Sequence, residues 1–371
     1  MRIGISARGL SEVSGGVKQY ITSVTQSLLE IDSDNQYFVF HNSDEFSGKF
    51  HNAKEIFLKT KNKLIWDYVE LPRALKKNKI DICIFPKNVV PFNVKCKSIV
   101  IIHDLLHIKD PKVYKWFDSL YMRLLIPFSV KKADKIVTDS KSTSNDLIEL
   151  TGATKENVSV IYLAADDKYH PLNDSNEENS NVLKKYNLKL PYLLYIGSLS
   201  PRKNIPFLIK AFEEFMKANN IDIQLVLAGG KSWKDEEIHQ TISKSPYREN
   251  IILTGFVDDD DLPYIYNQAE VFIYPSLYEG FGIPILEAMA SGCPVLTSNT
   301  SSLPEVAGDA VLYFDPTNIN DLVQNISKVV NNNELQTDLI EKGLKRVKEF
   351  SWKKTAQSIV LIYDEIYKSS R

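Results

Sequence analysis

Residues 274–295 read Tyr-Pro-Ser-Leu-Tyr-Glu-Gly-Phe-Gly-Ile-Pro-Ile-Leu-Glu-Ala-Met-Ala-Ser-Gly-Cys-Pro-Val and carry the densest chemistry in the chain. The run Val271–Tyr274 is short, apolar and partly β-branched, which predicts a strand. A glycine-containing turn follows. Pro284 then stands where a helix can open, because its missing N–H would have no partner there. The helix is expected over Ile285–Ala290, stopping near Gly292. The amides of Phe281, Gly282 and Ile283 would point out of its amino terminus and cradle an anion, helped by the helix dipole. Glu279 precedes this helix and Glu287 lies eight residues later, about one turn inside it. That spacing does not make an acid/base pair on one helical face. It suits a ligand with hydroxyls at both ends and an anion between them, which is the layout of a nucleotide sugar. An isolated pair of this kind reads more readily as a loop charge and a solvated helix residue. The intervening Gly-Phe-Gly-Ile-Pro argues for the ligand.

The adjacent cations Arg202 and Lys203 stand at the start of a further expected helix, where positive charge is mildly unfavourable, and so point to an anionic partner. Gly15 and Gly16 open a helix after the first strand, where glycine lets a backbone approach a phosphate or an acceptor closely. His103 ends an expected strand. Asp258–Asp261 reads as a solvated acidic turn before a helix. No Asp-x-Asp pair stands at a suitable strand end, and the six histidines and three cysteines show no metal-ligand spacing.

These residues need a scaffold of alternating strands and helices. Strands are expected at Met1–Ala7, Tyr37–His41, Glu55–Leu58, Ile80–Phe85, Ser98–His103, Lys135–Asp139 and Val158–Ile161, with helices at Val17–Ile31, Ile65–Lys77, Val113–Lys132 and Thr143–Leu150 between them. Pro171 opens a polar run of linker composition over 171–190. The rhythm then resumes with Tyr192–Gly197, Ile205–Ala218, Gln224–Ala228, Ile251–Thr254, Val271–Tyr274 and Pro294–Ser298. Alternation of this kind implies parallel sheets covered on both faces. The expected fold class is therefore α/β, with two Rossmann-like doubly wound domains facing a cleft: 1–170, the linker 171–190, and 191–351. The closing helix 352–371 is expected to cross back to the first domain.

The 371 residues suit two such domains, and 43% hydrophobic with 25% charged residues is ordinary globular composition. No apolar run reaches the ~18–20 residues of a membrane-spanning helix. The net charge of −2 hides a split of +5 in residues 1–170 and −7 in residues 171–371. Cys83, Cys96 and Cys293 make an odd count, which fits a reducing compartment, expected to be the cytoplasm.

Glu279 and Glu287 with Gly280-Phe281-Gly282 between them resemble the signature of the family 4 retaining glycosyltransferases, of GT-B fold. Met1–Leu10 with Gly15-Gly16-Val17 resembles their first strand and glycine loop. His103-Asp104 resembles the His-Asp pair of the mannosyltransferase-like members. Gly197-Ser198-Leu199-Ser200-Pro201-Arg202-Lys203-Asn204 resembles their phosphate loop, and Ser301–Gly308 another common stretch. Five pieces in order over about 300 residues carry the resemblance. One departure is Ser198, which stands where many members have Arg; Arg202 is then the cation expected to serve.

The resemblance implies that Glu279 contacts donor-sugar hydroxyls, that Phe281, Gly282 and Ile283 hold sugar and diphosphate, and that Glu287 binds the ribose. It implies that Arg202 and Lys203 neutralise the diphosphate as the bond to the sugar breaks. His103 is implied near the reacting carbon, with Asp104 orienting it or the acceptor. The base is expected near Gly229-Gly230-Lys231 and Thr254-Gly255-Phe256-Val257. No metal cofactor is expected. The donor expectation is GDP-mannose, with a UDP-sugar as alternative and a nucleotide-sugar epimerase or a non-catalytic sugar-binding protein as rivals. The acceptor is expected to be a glycan or lipid-linked sugar for surface polysaccharide. Basic and aromatic residues at 61–79 and 112–132 suit either a peripheral contact with the anionic inner face of a membrane or a helix packed on its own sheet. Nucleic-acid binding has no supporting motif.

Overall fold

A computed structural model describes residues 1–11, 15–172, 177–219, 221–230 and 235–368. The chain divides into two compact units, Met1–Leu163 with Ser351–Arg371, and Ala164–Phe350.

The first unit is built on seven parallel strands: β1 (Arg2–Ser6), β2 (Gln36–His41), β3 (Ala53–Phe57), β4 (Ile82–Phe85), β5 (Lys97–Ile102), β6 (Lys135–Thr138) and β7 (Val158–Val160). Their order is β3-β2-β1-β4-β5-β6-β7. The central strands are short continuous apolar runs: every residue of Ile82–Phe85 is buried, as is Ser98–Ile102. Helices on both faces allow this, since no strand face needs to be polar. Helix Gly16–Ile31 buries Tyr20, Ile21, Val24 and Leu28 at helical spacing. The final helix, Trp352–Lys368, packs against it and buries Ala356, Ile359, Ile362, Tyr363 and Ile366. A polar clamp fixes that packing: the Tyr37 and Tyr363 hydroxyls lie 2.7 Å apart, and both reach Asp32.

The second unit carries β8 (Tyr192–Ile196), β9 (Gln224–Ala228), β10 (Ile251–Gly255), β11 (Val271–Tyr274), β12 (Val295–Ser298) and β13 (Leu312–Phe314). They form one parallel sheet in the order β10-β9-β8-β11-β12-β13. In both sheets the chain doubles back between its first and fourth strands, β1/β4 and β8/β11. Open parallel sheets bind ligands at the carboxyl ends of the strands flanking that reversal.

The stretch expected as a linker differs in part. Residues Glu177–Lys185 form a helix within the second unit, while 173–176 lie outside the described residues. Lys185 bonds Asp258 and Asp261 at 2.7 and 2.6 Å, which anchors this helix to the acidic turn. Asp261 therefore holds Lys185 and Tyr186 instead of capping the helix Leu262–Asn267 with its side chain.

Candidate functional site

In the second unit the loops after β8 and β11 meet. Pro201–Lys203 makes one 3₁₀ turn, and the Arg202 carbonyl accepts the Leu277 amide at 2.8 Å. Arg202 Nη1 and Lys203 Nζ each donate to one oxygen of Glu279 at 2.5 Å. Lys203 also donates to the Tyr274 hydroxyl and lies 4.5 Å over that ring. Glu279 and Lys203 are about 6% and 5% exposed, while the Arg202 side chain is 23% exposed. Burial alone would push the Glu279 carboxyl upward; Arg202 and Lys203 outweigh it and hold it down at about 2. One carboxylate between two cations leaves a positive charge in a poorly solvated place, which suits a further anion.

Glu279 is fixed on its backbone side as well. Its amide donates to Ser301 Oγ at 2.9 Å, and Ser302 Oγ donates to the carbonyls of Glu279 and Phe281, each at 3.0 Å. Three residues past Phe281's neighbour Gly280 the helix Ile283–Ala290 begins, with no side chain capping it. Gly282 turns the chain into it at φ 106, where an added Cβ would sit 2.8 Å from Leu303 Cδ2. The helix itself is buried, including Glu287, which accepts from Tyr266 Oη at 3.1 Å and also contacts Tyr169. Glu287 is thus a tyrosine-held carboxylate on a buried helix.

Three glycines stand in a row at the carboxyl ends of adjacent strands: Gly197 after β8, Gly229 after β9, and Gly255 closing β10. The Gly197 amide donates to Ala228 O and the Gly229 amide to Gly255 O, both at 2.9 Å. A Cβ on Gly229 would meet the Gly197 carbonyl oxygen at 1.8 Å, so only glycine fits. Ser198 is exposed beside this row, and its carbonyl accepts from Tyr195 Oη at 2.9 Å. Val257 is buried and Phe256 is 46% exposed, leaving an open aromatic face at the end of β10. Lys231 lies outside the described residues.

In the first unit, His103 follows β5 and joins three neighbouring strand ends. Its Nδ1 lies 2.6 Å from Asp139 Oδ2, after β6, and its Nε2 lies 2.8 Å from Pro86 O, after β4. Both partners are acceptors, so both ring nitrogens donate and the ring is an imidazolium. Burial opposes that charge, but Asp139 outweighs it and raises the pKa above the ordinary 6.5. The other Asp139 oxygen is buried without a hydrogen-bond partner. Tyr20 stands edge-on to the imidazole at 5.0 Å. The expectation that Asp104 orients His103 is corrected: Asp139 does so, while Asp104 Oδ1 accepts the Leu106 amide at 3.1 Å. Gly15, at φ 130, and Gly16 are exposed at the start of helix Gly16–Ile31. Sequence reasoning passed over Asp139, Tyr274, Tyr266 and Tyr169, since an aspartate after a strand and tyrosines in apolar runs carry no spacing signal. Among the described residues no three His, Cys, Asp or Glu side chains converge as a metal site.

The sign of the His103 effect follows from its raised pKa. Its pairing stabilises the first unit fully below about pH 6.5 and fades as pH rises through the folded value. An NMR titration of the His103 ring should show protonation persisting above the ordinary 6.5, and Asp139→Asn should bring the midpoint to 6.5 or below. An unshifted midpoint in the variant would contradict the pairing.

The family model for glycosyl transferases group 1 matches residues 176–346, and that for glycosyltransferase family 4 matches residues 14–169. The chain is 33% identical over 325 residues to O-antigen chain mannosyltransferase B of Escherichia coli, covering 86% of this chain and 84% of that one. It is 31% identical over 286 residues to the serotype-specific mannosyltransferase WbdA of Escherichia coli, covering 75% of this chain and 35% of that longer protein. The chain therefore spans about a third of WbdA's length. The solved structure of HepE from Anabaena, in complex with UDP and glucose, matches 98% of this chain and 100% of its own at a TM-score of 0.79 and 16% identity. Two Rossmann-like sheets whose first six strands share one order, two family models in tandem and a relative at 33% identity agree: the chain belongs to the group 1 and family 4 glycosyltransferases of GT-B fold.

Proposed function

We propose that this glycosyltransferase moves mannose from GDP-mannose, with retention at the anomeric carbon, to a glycan or lipid-linked acceptor in the building of a surface polysaccharide. The observation that carries the reading is the buried Arg202–Glu279–Lys203 cluster just ahead of the uncapped helix Ile283–Ala290. Glu279 accepts from donor-sugar hydroxyls, and Glu287 from the ribose. The diphosphate takes Arg202, Lys203 and the amides at Phe281, Gly282 and Ile283. As the bond from the anomeric carbon to the diphosphate oxygen breaks, charge grows where these fixed donors already point. Cations and helix terminus then do the work without a metal. Gly197, Ser198, Gly229 and Gly255 bring backbone rather than side chains to the nucleotide, with Phe256 and Val257 beside the base.

A retaining enzyme with a covalent intermediate needs a second carboxylate about 5 Å from the first. Glu279 is already committed to two cations, which favours a front-side reaction through an oxocarbenium-like ion pair. The leaving phosphate takes the acceptor's proton. His103 is held as a cation and is no base, because neither ring nitrogen keeps a lone pair. The mannosyl assignment is drawn from relatives named as mannosyltransferases. Melting-temperature shifts with GDP, UDP and ADP test the base: GDP should stabilise most, and a larger shift with UDP would move the donor to a UDP-sugar. Glu279→Ala should lower transfer by at least about a hundredfold, and near-normal turnover would remove Glu279 from the reaction.

The acceptor side is proposed to work at the cytoplasmic face of an anionic membrane. Helix Trp116–Lys132 is apolar on the outside. Its buried residues are Ser119, Ile126, Ser129 and Val130, with Ser119 and Ser129 bonding His107 O and Leu125 O. Trp116, Phe117, Leu120, Leu124 and Phe128 are exposed, and at 100° per residue they share an arc of about 120°. Arg123 and Lys131 are exposed on the same helix. Among the described residues no helix is long and apolar enough to cross a membrane. An outward apolar stripe with Arg123 at one edge and Lys131 at its carboxyl end fits the boundary of an anionic bilayer. The chain should co-sediment with phosphatidylglycerol vesicles and not with phosphatidylcholine alone, and Phe117→Ser with Leu124→Ser should abolish this. Equal sedimentation with both lipids would contradict the charge argument.

A further inference from the structure

Three buried polar atoms in the first unit have no hydrogen-bond partner among the described residues: Asp139 Oδ1, Tyr20 Oη and Trp352 Nε1. Their residues are 2%, 1% and 8% exposed. They belong to one cluster around His103. Asp139 holds the imidazole through its other oxygen at 2.6 Å. Tyr20, on helix Gly16–Ile31, stands edge-on to the imidazole at 5.0 Å and edge-on to the Trp352 indole at 6.2 Å. Trp352 is the first residue of the final helix. Burial, and then the charge of Asp139, push the Tyr20 hydroxyl's pKa well up, so that carboxylate stands within electrostatic reach of the hydroxyl.

Polar atoms this deeply buried take a partner, from protein or from ordered water. The atom types decide which. A carboxylate oxygen only accepts, an indole N–H only donates, and a phenol does both. Neither Tyr20 nor Trp352 bonds Asp139 directly. A group that joins them must accept from the indole and donate to the carboxylate. A metal cation would be repelled by the indole N–H, and an ammonium could not accept from it. Water does both, and a buried water typically makes about three such bonds.

The consequence falls on His103. Asp139 is the main acid that keeps the imidazole charged, with Asp104 a lesser one. A donor on the far oxygen of Asp139 keeps that carboxylate ionised and fixes its plane. We propose that Tyr20 and Trp352 are positioning residues for His103, acting through one internal water hydrogen-bonded to Tyr20 Oη, Trp352 Nε1 and Asp139 Oδ1.

The test uses the full chain. A high-resolution crystal structure should show a water within hydrogen-bond distance of all three atoms. No water joining Tyr20 Oη to Asp139 Oδ1 would overturn the proposal. Tyr20→Phe keeps the ring packing and removes only the hydroxyl. In histidine-labelled protein followed by NMR, it should lower the His103 midpoint by about half a unit or more. The sign is downward because an Asp139 carboxylate that loses a donor holds the imidazolium proton less firmly. Trp352→Phe should move the midpoint the same way. The control Tyr37→Phe removes a buried hydroxyl from the Asp32 clamp and should leave it in place. An unchanged midpoint in folded Tyr20→Phe, or an equal fall in Tyr37→Phe, would overturn the proposal. The effect on turnover rests on the glycosyl-transfer reading: kcat should decline with rising pH at the His103 midpoint, and Tyr20→Phe should move that decline down with it. A shifted midpoint with an unmoved kcat profile would remove the His103 charge from the reaction and leave the water-bridged positioning standing.

Discussion

A carboxylate buried at Glu279 is the constraint around which the second unit is arranged. Removed from water, it is tolerable only with cations against it, and both come from one turn, Pro201–Lys203. That requirement ties the β8 loop to the β11 loop, an attachment repeated by the Leu277 amide on the Arg202 carbonyl. Ser301 and Ser302 then fix the Glu279 and Phe281 backbone, so the helix after Gly282 starts at a set place and angle. The glycine row at the ends of β8, β9 and β10 keeps side chains out of the adjoining space. Charge, backbone donors and room are thereby supplied by one short set of loops.

The first unit solves a matching problem with a different group. His103 is held as a cation by acceptors on the strands to either side of its own, and Tyr20 covers its edge. A charged imidazole built this way is a fixed electrostatic element and not a proton shuttle. The +5 of residues 1–170 takes on meaning as well. Part of it lies around the buried Asp67 at the strand reversal and part on the outward-apolar helix.

Much of the scaffold was legible because parallel strands announce themselves as short apolar runs. Residues Val271–Tyr274 and Gln224–Ala228 stand as expected, and most other strands shift by one or two residues at an end. Three-residue β13 was missed, since Leu312–Phe314 is too short to show a period. The polar composition of 171–190 hid the helix Glu177–Lys185, whose place is set by Lys185 on distant aspartates, a contact that sequence spacing does not reveal. At the site, Glu279, Arg202 and Lys203 were visible as residues, but their union was not. The sequence reading had given sugar and phosphate to separate side chains, whereas the three form one cluster. Helix Trp116–Lys132 was ambiguous because apolar residues lie on most of its circumference; only burial shows that the bulky ones face outward.

The most direct measurement is a crystal structure of the chain with a bound nucleoside diphosphate. The terminal phosphate should lie at the amino end of helix Ile283–Ala290, within hydrogen-bond reach of Arg202, with the ribose against Glu287 and the base beside Phe256. A diphosphate bound away from Arg202 and that helix terminus would contradict the account.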